Sequence, residues 1–478
     1  MGNPIWNVKD FGALGDGVTI DSDAINRAIA AAAAAGGGTV WIPAGVYACF
    51  SIRLCSHITL HLDAGATILA ATPTAGRGYD VASENPACSE HGYQDAGHSY
   101  WEDSLIWGIG LENVTLQGAG LIDGKGLQKW DTGVPGHGNK AIALKLCRNV
   151  VIRDLRIYRG GHFCILPTGV ENFLVDNVQI DSNRDGINID CCRNVRISNC
   201  VVNTPNDDAI VLKASMGLGY LKDTENVTIT NCQVMGYDLG TFLDGTYGTQ
   251  QVTAPDFGGV TGRIKLGTES SGGFKNITIS NCTFERSRGL ALETVDGGDL
   301  EDITVSNLTM REVVNAPLFL RRGARMRGPE GRPVGQFRRV SIENVVVHHA
   351  DRKYACMLMG IPGYPVEQVS IRNVRLNMEG GAGPEAVAVQ VPELETGYPD
   401  PQFFGQIPAH GFYIRHVSDL NLSGITVRCI DPDSRPCLVL DSVHGARMRD
   451  MDLSPRSGSS SAKTVNCTDL DAPELDLG

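Results

Sequence analysis

Apolar and polar residues alternate in short runs along most of this chain. Val195-Arg196-Ile197 and Val227-Thr228-Ile229 set apolar members on one side and polar members on the other, the pattern of a strand with one buried face. These runs belong to a phrase that recurs seven times, in which an asparagine follows five residues after a first polar position. The pairs are Asn172 and Asn177, Asn194 and Asn199, Asn226 and Asn231, Asn276 and Asn281, Asp302 and Asn307, Arg339 and Asn344, and Gln368 and Asn373. Successive copies are spaced by 22, 32, 50, 26, 37 and 29 residues. A core unit near 22 with insertions of varied length is one coil of a solenoid, the insertions being loops. Short strands without intervening helices predict an all-β chain, a single-domain right-handed parallel β-helix. Asparagines stacked at a fixed corner are expected to bond their neighbours' backbone, so the phrase needs no functional explanation.

The two ends depart from the repeat. Asp21-Ser22-Asp23 precedes the helix-forming run Ala24-Ile25-Asn26-Arg27-Ala28-Ile29-Ala30, and Gly36-Gly37-Gly38 stops it before a strand at Thr39-Val40-Trp41-Ile42. A solenoid exposes an apolar end, so this helix is expected to cap it, with an acidic N-cap. The predicted organisation is an N-terminal strand and capping helix over 1–46, a β-helix over 47–453, and a tail over 454–478. The tail is rich in Ser and Asp and is expected to lie across the outside or be loosely held.

Composition narrows the picture. Glycine accounts for 57 of 478 residues, well above the usual ~7%, which a many-turned β architecture accommodates better than a helical bundle. The net charge of −13 argues against nucleic acid as a partner and requires that any polyanionic ligand meet a local basic patch. No run approaches the roughly 18–20 apolar residues of a membrane span. Met1-Gly2-Asn3-Pro4 has neither the basic nor the apolar region of a signal peptide, so the protein is expected to be cytoplasmic, or secreted or periplasmic if a leader has been removed. None of the 14 cysteines forms a CxxC pair, and Cys200, Cys232 and Cys282 recur inside the repeat, which predicts buried reduced thiols rather than zinc ligands.

Two coils share the phrase Asp-x-Ile-x-Ile/Leu, at Asp185-Gly186-Ile187-Asn188-Ile189 and Asp208-Ala209-Ile210-Val211-Leu212. Their 23-residue offset is close to one coil, so Asp185 is expected above Asp208 at about 4.8 Å, the spacing of paired strands. Asp207 adds a third carboxylate. Strand parity would turn Asp208 inward with Ile210, so a turn is expected just before Ile210, swinging both aspartates outward. Crowded carboxylates raise one another's proton affinity. Such a group suits acid–base hydrolysis of a glycosidic bond, and equally a calcium site or a corner hydrogen-bond network. Arg263 and Lys265, alternating with Ile264 and Leu266, put two cations on one strand face, suited to an anionic substrate or to pairing with acidic side chains. Lys213 follows Asp208 on its own strand.

In this order, Asn183-Arg184-Asp185-Gly186, Asp207-Asp208 and Arg263-Ile264-Lys265 resemble the motifs of glycoside hydrolase family 28, the polygalacturonase-like pectin hydrolases. Gly118-Ala119-Gly120-Leu121-Ile122-Asp123-Gly124 and Val8-Lys9-Asp10-Phe11-Gly12-Ala13 resemble its early coil and its opening. The resemblance runs over roughly residues 5 to 450. It implies an inverting hydrolase of α-linked galacturonic acid in plant cell-wall pectin, of polygalacturonase or galacturonidase type, with no metal or cofactor. Asp207 would be the general acid, Asp185 and Asp208 the bases that activate water, and Arg263 and Lys265 the grip on the substrate carboxylate, with Asn183 beside them. The acid, Asp207, is expected to turn away from the two bases, since inversion needs roughly 6.5–9.5 Å between acid and base.

The family's His-Gly motif is missing. Leu239-Gly240 takes its place, with Tyr237 and Asp238 the nearest polar groups, and Phe163 and Leu166 stand where a Trp and a His are expected. His410 is the candidate replacement. Arg321, Arg322, Arg325, Arg327 and Arg332 form either a solvated loop or an additional grip on a polyuronate. The insertion Tyr398-Pro399-Asp400-Pro401-Gln402-Phe403-Phe404 is expected to wall the cleft with aromatic faces. Long insertions after Tyr237 and Asn377 would favour cleavage from a chain end. The alternatives are a rhamnogalacturonan hydrolase or other pectic glycosidase, a calcium-dependent pectate lyase, and a carbohydrate-binding or adhesive β-helix without activity.

Overall fold

The computed structural model describes residues 5–83, 92–93, 95–129, 134–254, 259–453 and 461–476. The fold class is all-β, a right-handed parallel β-helix, and the one α-helix among the described residues is Ser22–Ala34. No helix among them is long and apolar enough to cross a membrane. Contacts divide the chain into two compact units, Met1–Cys232 with Tyr237–Gln251, and Gln233–Gly236 with Val252–Gly478.

In the first unit the alternating runs become three faces of stacked parallel strands. One face carries Ser104–Ile109, Lys140–Lys145, Phe163–Thr168, Asp185–Asp190 and Ile210–Ala214 in order. The second carries Glu112–Gln117, Arg148–Arg153, Glu171–Asp176, Arg193–Ser198 and Thr224–Thr230. Leu121–Asp123, Arg156–Tyr158, Gln179–Asp181 and Val201–Asn203 form the third. Phe173 pairs with Val195 and Val195 with Val227, so every coil adds its apolar positions to the same interior column. Phe173, Val195 and Val227 are all buried there. Each such side chain contributes roughly 1.5–3 kcal/mol by leaving water, which fixes the register of the stack.

The recurring asparagines have a conformational cause. Asn172, Asn194 and Asn226 have φ of 54°, 57° and 55°, and Asn177, Asn199 and Asn231 have 53°, 58° and 55°. Left-handed backbone costs most L-residues roughly 1–2 kcal/mol and asparagine less. The side chains bond one another rather than the neighbouring backbone, correcting the expectation from sequence. Asn194 Nδ2 donates to Asn172 Oδ1 at 3.1 Å and Asn226 Nδ2 to Asn194 Oδ1 at 3.0 Å.

The helix Ser22–Ala34 lays Ala24, Ile25, Ala28, Ile29 and Ala32 against the first coil. Asp21 does not cap it with its side chain. Its carboxylate instead accepts from Leu14 N at 2.8 Å and Gly15 N at 2.9 Å, tying down the preceding loop.

In the second unit the strands lengthen and run on through the corners. Phe274–Glu285, Leu300–Val313, Phe337–Ala350, Val366–Gly380, Phe412–Asp431 and Leu438–Leu453 stack in parallel. The C-terminal segment extends this stack instead of lying across it. Ala462–Val465 and Thr468–Asp471 both pair in parallel with Leu438–Leu453, while 454–460 lies outside the described residues. The thirteen described cysteines are all free thiols, and Cys200, Cys232 and Cys282 are buried.

Candidate active site

The carboxylate cluster belongs to the first unit. Ile187 pairs with Ile210 and Asn188 with Val211, the 23-residue offset read from the sequence. Gly186 N donates to Asp208 O at 3.0 Å, locking the two coils together where Asp185 and Asp208 begin. A turn at 205–206 and a bend at Asp207 precede Ile210, as the parity argument requires. The result is a cluster in which Asp185, Asp207 and Asp208 each place a carboxylate oxygen within 4.8 Å of the other two.

Asp207 does not turn away as expected. Its Oδ1 accepts from Asp208 N at 2.9 Å and its Oδ2 lies 2.9 Å from Arg184 Nη2, which fold the side chain back onto the cluster. Nor do Asp185 and Asp208 face open solvent, each being only 3% exposed. Asp185 is covered by polar groups rather than by the apolar interior of Ile187, Ile189 and Ile210. Asn188 Nδ2 donates to Asp185 Oδ2 at 2.6 Å, and Asn188 Oδ1 lies 3.3 Å from His98 Nε2. His98 stacks on Phe163 with ring centroids 4.7 Å apart. Its turn, Ala96–Ser99, is pinned by Asp95, whose Oδ1 receives Gly97 N at 2.8 Å and faces His162 Nε2 at 2.9 Å.

Burial and the charges of Asp207 and Asp208 push the Asp185 carboxyl well above the ordinary range, and a hydrogen bond shared with Asp207 adds to the shift. Lys213, mostly buried and paired in register with Asp190, opposes it. Asp185 Oδ1 is buried without a hydrogen-bond partner among the described residues. The cluster can therefore hold a proton at one carboxyl while its neighbours are ionised, which is the electrical condition for joint acid and base work.

The other first-unit candidates play supporting parts. Asn183 Oδ1 accepts from Asn206 Nδ2 at 3.1 Å, linking the loops that carry Asp185 and Asp207. Tyr237 is held by its backbone, N to Asn203 Oδ1 at 2.7 Å, and its ring meets Tyr247 edge-on. Asp238 uses its carboxylate to accept from Gln250 N and Gln251 N, both at 2.8 Å, closing the loop that follows. Asp181, unremarked in the sequence, gathers Gly240 N, Phe242 N and Leu243 N at 3.0–3.2 Å and so fixes the segment where the His-Gly motif is missing.

Arg263, Lys265, Arg322 and His410 belong to the second unit, and none is an exposed cation there. Arg263 is 4% exposed, with Nη1 3.3 Å from Asp400 Oδ2. Lys265 is 1% exposed, its Nζ 3.7 Å from Glu293 Oε2 and 3.4 Å from the Tyr398 hydroxyl. Arg322 donates Nε to Gly335 O at 2.7 Å, Arg321 Nη1 donates to Gly360 O at 3.0 Å, and Arg325 Nη2 pairs with Asp296 at 2.5 Å. Arg321, Arg322 and Arg325 are thus ties between coils, while Arg327 in the same loop is exposed. His410 is buried with Nδ1 at Arg435 O, 2.9 Å, and Nε2 3.1 Å from Cys437 Sγ. Burial lowers its proton affinity, and it occupies an interior position of the second unit.

The family model described as glycosyl hydrolases family 28 matches residues 87–241, and that of rhamnogalacturonase A/epimerase, pectate lyase-like, matches residues 5–145. A probable polygalacturonase of Vitis vinifera is 27% identical over 391 residues, covering 72% of this chain and 74% of that protein. Among solved structures, a family 28 exopolygalacturonase of Yersinia enterocolitica aligns with a TM-score of 0.67 at 19% identity, over 99% of this chain and 79% of that one. An exopolygalacturonase of Thermotoga maritima aligns with a TM-score of 0.60 at 22% identity, over 80% and 88%. The protein is a glycoside hydrolase built on a parallel β-helix. Its resemblance is to glycoside hydrolase family 28, through residues 87–241.

Proposed function

We propose that this protein hydrolyses α-linked galacturonic acid in pectic polysaccharide or oligosaccharide with inversion of the anomeric centre. The observation that carries this reading is the three-carboxylate cluster, with its proton held by Asp185 through burial and its neighbours' charge. Asp185 and Asp207 share a hydrogen bond, so one proton moving from Asp185 to Asp207 creates the acid and the base together. Asp207, the most exposed of the three, then protonates the leaving glycosidic oxygen. Asp185 and Asp208 orient a water and take its proton as its oxygen bonds to the anomeric carbon. The cluster ends with the number of protons it began with. Arg184 and Lys213 are the first unit's counter-charges to this acidic group.

The test is incubation with polygalacturonate and a panel of pectic oligosaccharides, with and without EDTA. New reducing ends without ultraviolet-absorbing unsaturated product, unaffected by chelator, are expected. Unsaturated product that disappears with EDTA would instead identify a calcium-dependent lyase using the same carboxylates. Cleavage confined to rhamnose-containing chains would move the substrate to rhamnogalacturonan. Release of monomer from the first time point is the outcome expected if the insertions after Tyr237 and Asn377 favour chain ends.

A further inference from the structure

The outer side of the first unit carries a shallow depression of about 390 Å³, lined by Ile5, Thr39, Trp41, His61 and Asp63. Strand parity places these residues there. Val40, Leu60 and Leu62 are buried, so Thr39, Trp41 and His61 point outward from the strands Gly38–Ile42 and Ile58–Leu62. Asn7 pairs with Trp41, Trp41 with His61 and His61 with Gln117, which makes one outward row, and Ile5 pairs with Thr39 in the row beside it. Gly38–Ile42, Ile58–Leu62, Glu112–Gln117, Arg148–Arg153, Glu171–Asp176 and Arg193–Ser198 stack in that order along one face. Asp185 starts a strand of a different face, and Arg193–Ser198 follows it in the same coil. Five rungs of about 4.8 Å therefore put the depression roughly 24 Å along the axis from the coil of Asp185, a place separate from the carboxylate cluster.

Its floor is apolar and its rim is polar. Trp41 is partly buried and Ile5 is 64% exposed. At the rim, His61 Nε2 lies 3.4 Å from Asp63 Oδ1 and His61 Nδ1 lies 3.5 Å from Gln117 Nε2, so the imidazole is held from both ends and orients Asp63. Asp63 is fixed through its backbone, its N donating to Ile42 O at 3.0 Å. Thr39 Oγ1 and Trp41 Nε1 make no hydrogen bond among the described residues. An aromatic surface bordered by outward hydrogen-bonding groups suits a ring with apolar faces and a hydroxylated edge, which describes a sugar. Neither lysine nor arginine lines the depression, so a carboxylate on that ring would face Asp63. The volume falls in the roughly 300–1,000 Å³ range of small-ligand sites, and five lining residues are far fewer than the roughly 20–30 a side of a stable protein interface.

We propose that this depression is a second carbohydrate site, separate from the carboxylate cluster, which stacks a neutral pyranose on Trp41 and bonds its hydroxyls to Thr39 and Asp63. Its ligand class is the uncharged sugar of a polysaccharide chain, whereas the cluster is proposed to act on the acidic one. No residue is shared between the two places, so binding here is independent of turnover there.

The experiment reads the Trp41 indole proton–nitrogen NMR resonance of the full chain, identified among the five tryptophans as the one that Trp41→Phe removes. The probes are the neutral galactotetraose and xylotetraose, with galactose and galacturonate as a pair that differs only at C6. At pH 7.5 at least one tetrasaccharide should shift the resonance saturably, with a Kd of about 1 mM or tighter. Galacturonate should shift it at least about fivefold less than an equal concentration of galactose, and Asp63→Asn should bring the two within about twofold. Trp41→Ala, followed by calorimetry, should weaken tetrasaccharide binding at least about tenfold while leaving kcat/KM on tetragalacturonate within about twofold. If Trp41→Ala does not fold, Asp63→Ala should weaken binding about fivefold or more. The proposal is overturned by the absence of a saturable shift with both tetrasaccharides, by an equal response to galacturonate, or by unchanged affinity in the folded variants. A concentration-dependent dimer that Trp41→Ala abolishes in sedimentation would also overturn it, assigning the depression to a second copy of the chain. The NMR arm needs no turnover. A protein inactive on every pectic substrate would therefore defeat the hydrolase reading, with the Trp41 resonance still deciding whether the depression binds sugar.

Discussion

Arg184 Nη2 lies 2.9 Å from Asp207 Oδ2, joining the residue just before one aspartate of the cluster to the side chain of another a coil away. The Arg184 guanidinium lowers the net negative charge of a cluster whose proton is shared between Asp185 and Asp207. In Arg184→Thr that charge is uncompensated and the cluster keeps its proton to higher pH. The alkaline limb of the kcat/KM profile should move up by about half a unit to one unit. A profile that only scales down in height, with both limbs fixed, would show that Arg184 organises the loop without tuning the proton.

Asp185 links the pH dependence of stability to function. Its folded-state proton affinity is raised by burial and by neighbouring carboxylates, so below the unfolded carboxylate value it imposes no penalty. As pH rises from there through the raised folded value, ionising it in place costs free energy, and stability falls over that window. Asp185→Asn removes the ionisation while retaining an oxygen to accept from Asn188. The variant should match wild type near pH 4 and exceed it at pH 7 by roughly 2 °C in Tm. It should also lose at least about a hundredfold in kcat. A Tm difference that is constant across pH would contradict the assignment of the strained charge to Asp185.

The repeat explains why the cluster was legible before any coordinates. A period near 22 converts the offset between Asp185 and Asp208 into vertical stacking, and burial of Ile187 against Ile210 enforces it. What was hidden follows from side chains that the repeat does not register. His98 reaches the site from an insertion 87 residues upstream of Asp185, and Asp400 meets Arg263 across 137 residues, so spacing carries no signal for either. Asn188 could have been found, since it follows Asp185 by three residues on the same strand. Counting charge also misled. Arg321, Arg322 and Arg325 look like a basic patch in the sequence, but their guanidinium groups satisfy buried carbonyls and Asp296 between coils. Only the fold shows that each of these guanidinium groups is already paired.

Asn188 and His98 form a positioning pair for Asp185. The side-chain amide can present either end, and His98 Nε2 facing Asn188 Oδ1 fixes the orientation in which Nδ2 donates to Asp185. Asn188→Ala removes the donor that favours the ionised base, so the acid limb of kcat/KM should shift to higher pH and kcat should fall about 10- to 100-fold. His98→Ala should give a smaller fall with the same shift, and His98→Gln, whose amide can donate to Asn188, should recover part of it. KM should change little in each. A loss in Tm without any movement of the acid limb would reduce both residues to packing.

The stereochemical course tests the roles within the cluster. Inverting glycosidases generally separate acid and base carboxyls by roughly 6.5–9.5 Å, and retaining enzymes by about 5–5.5 Å. Here the nearest oxygens of all three aspartates fall within 4.8 Å. Such closeness would suit a nucleophile if only two carboxylates were present. The third changes the geometry of attack, because Asp185 and Asp208, on adjacent coils, can hold water between themselves while Asp207 serves the leaving oxygen. Proton NMR of the first turnovers on an α-linked oligogalacturonide should show the β anomer at the new reducing end before mutarotation mixes the signals. An initial α anomer would mean that one of these aspartates attacks carbon directly, and the assignment of Asp185 and Asp208 as paired bases would fall with it.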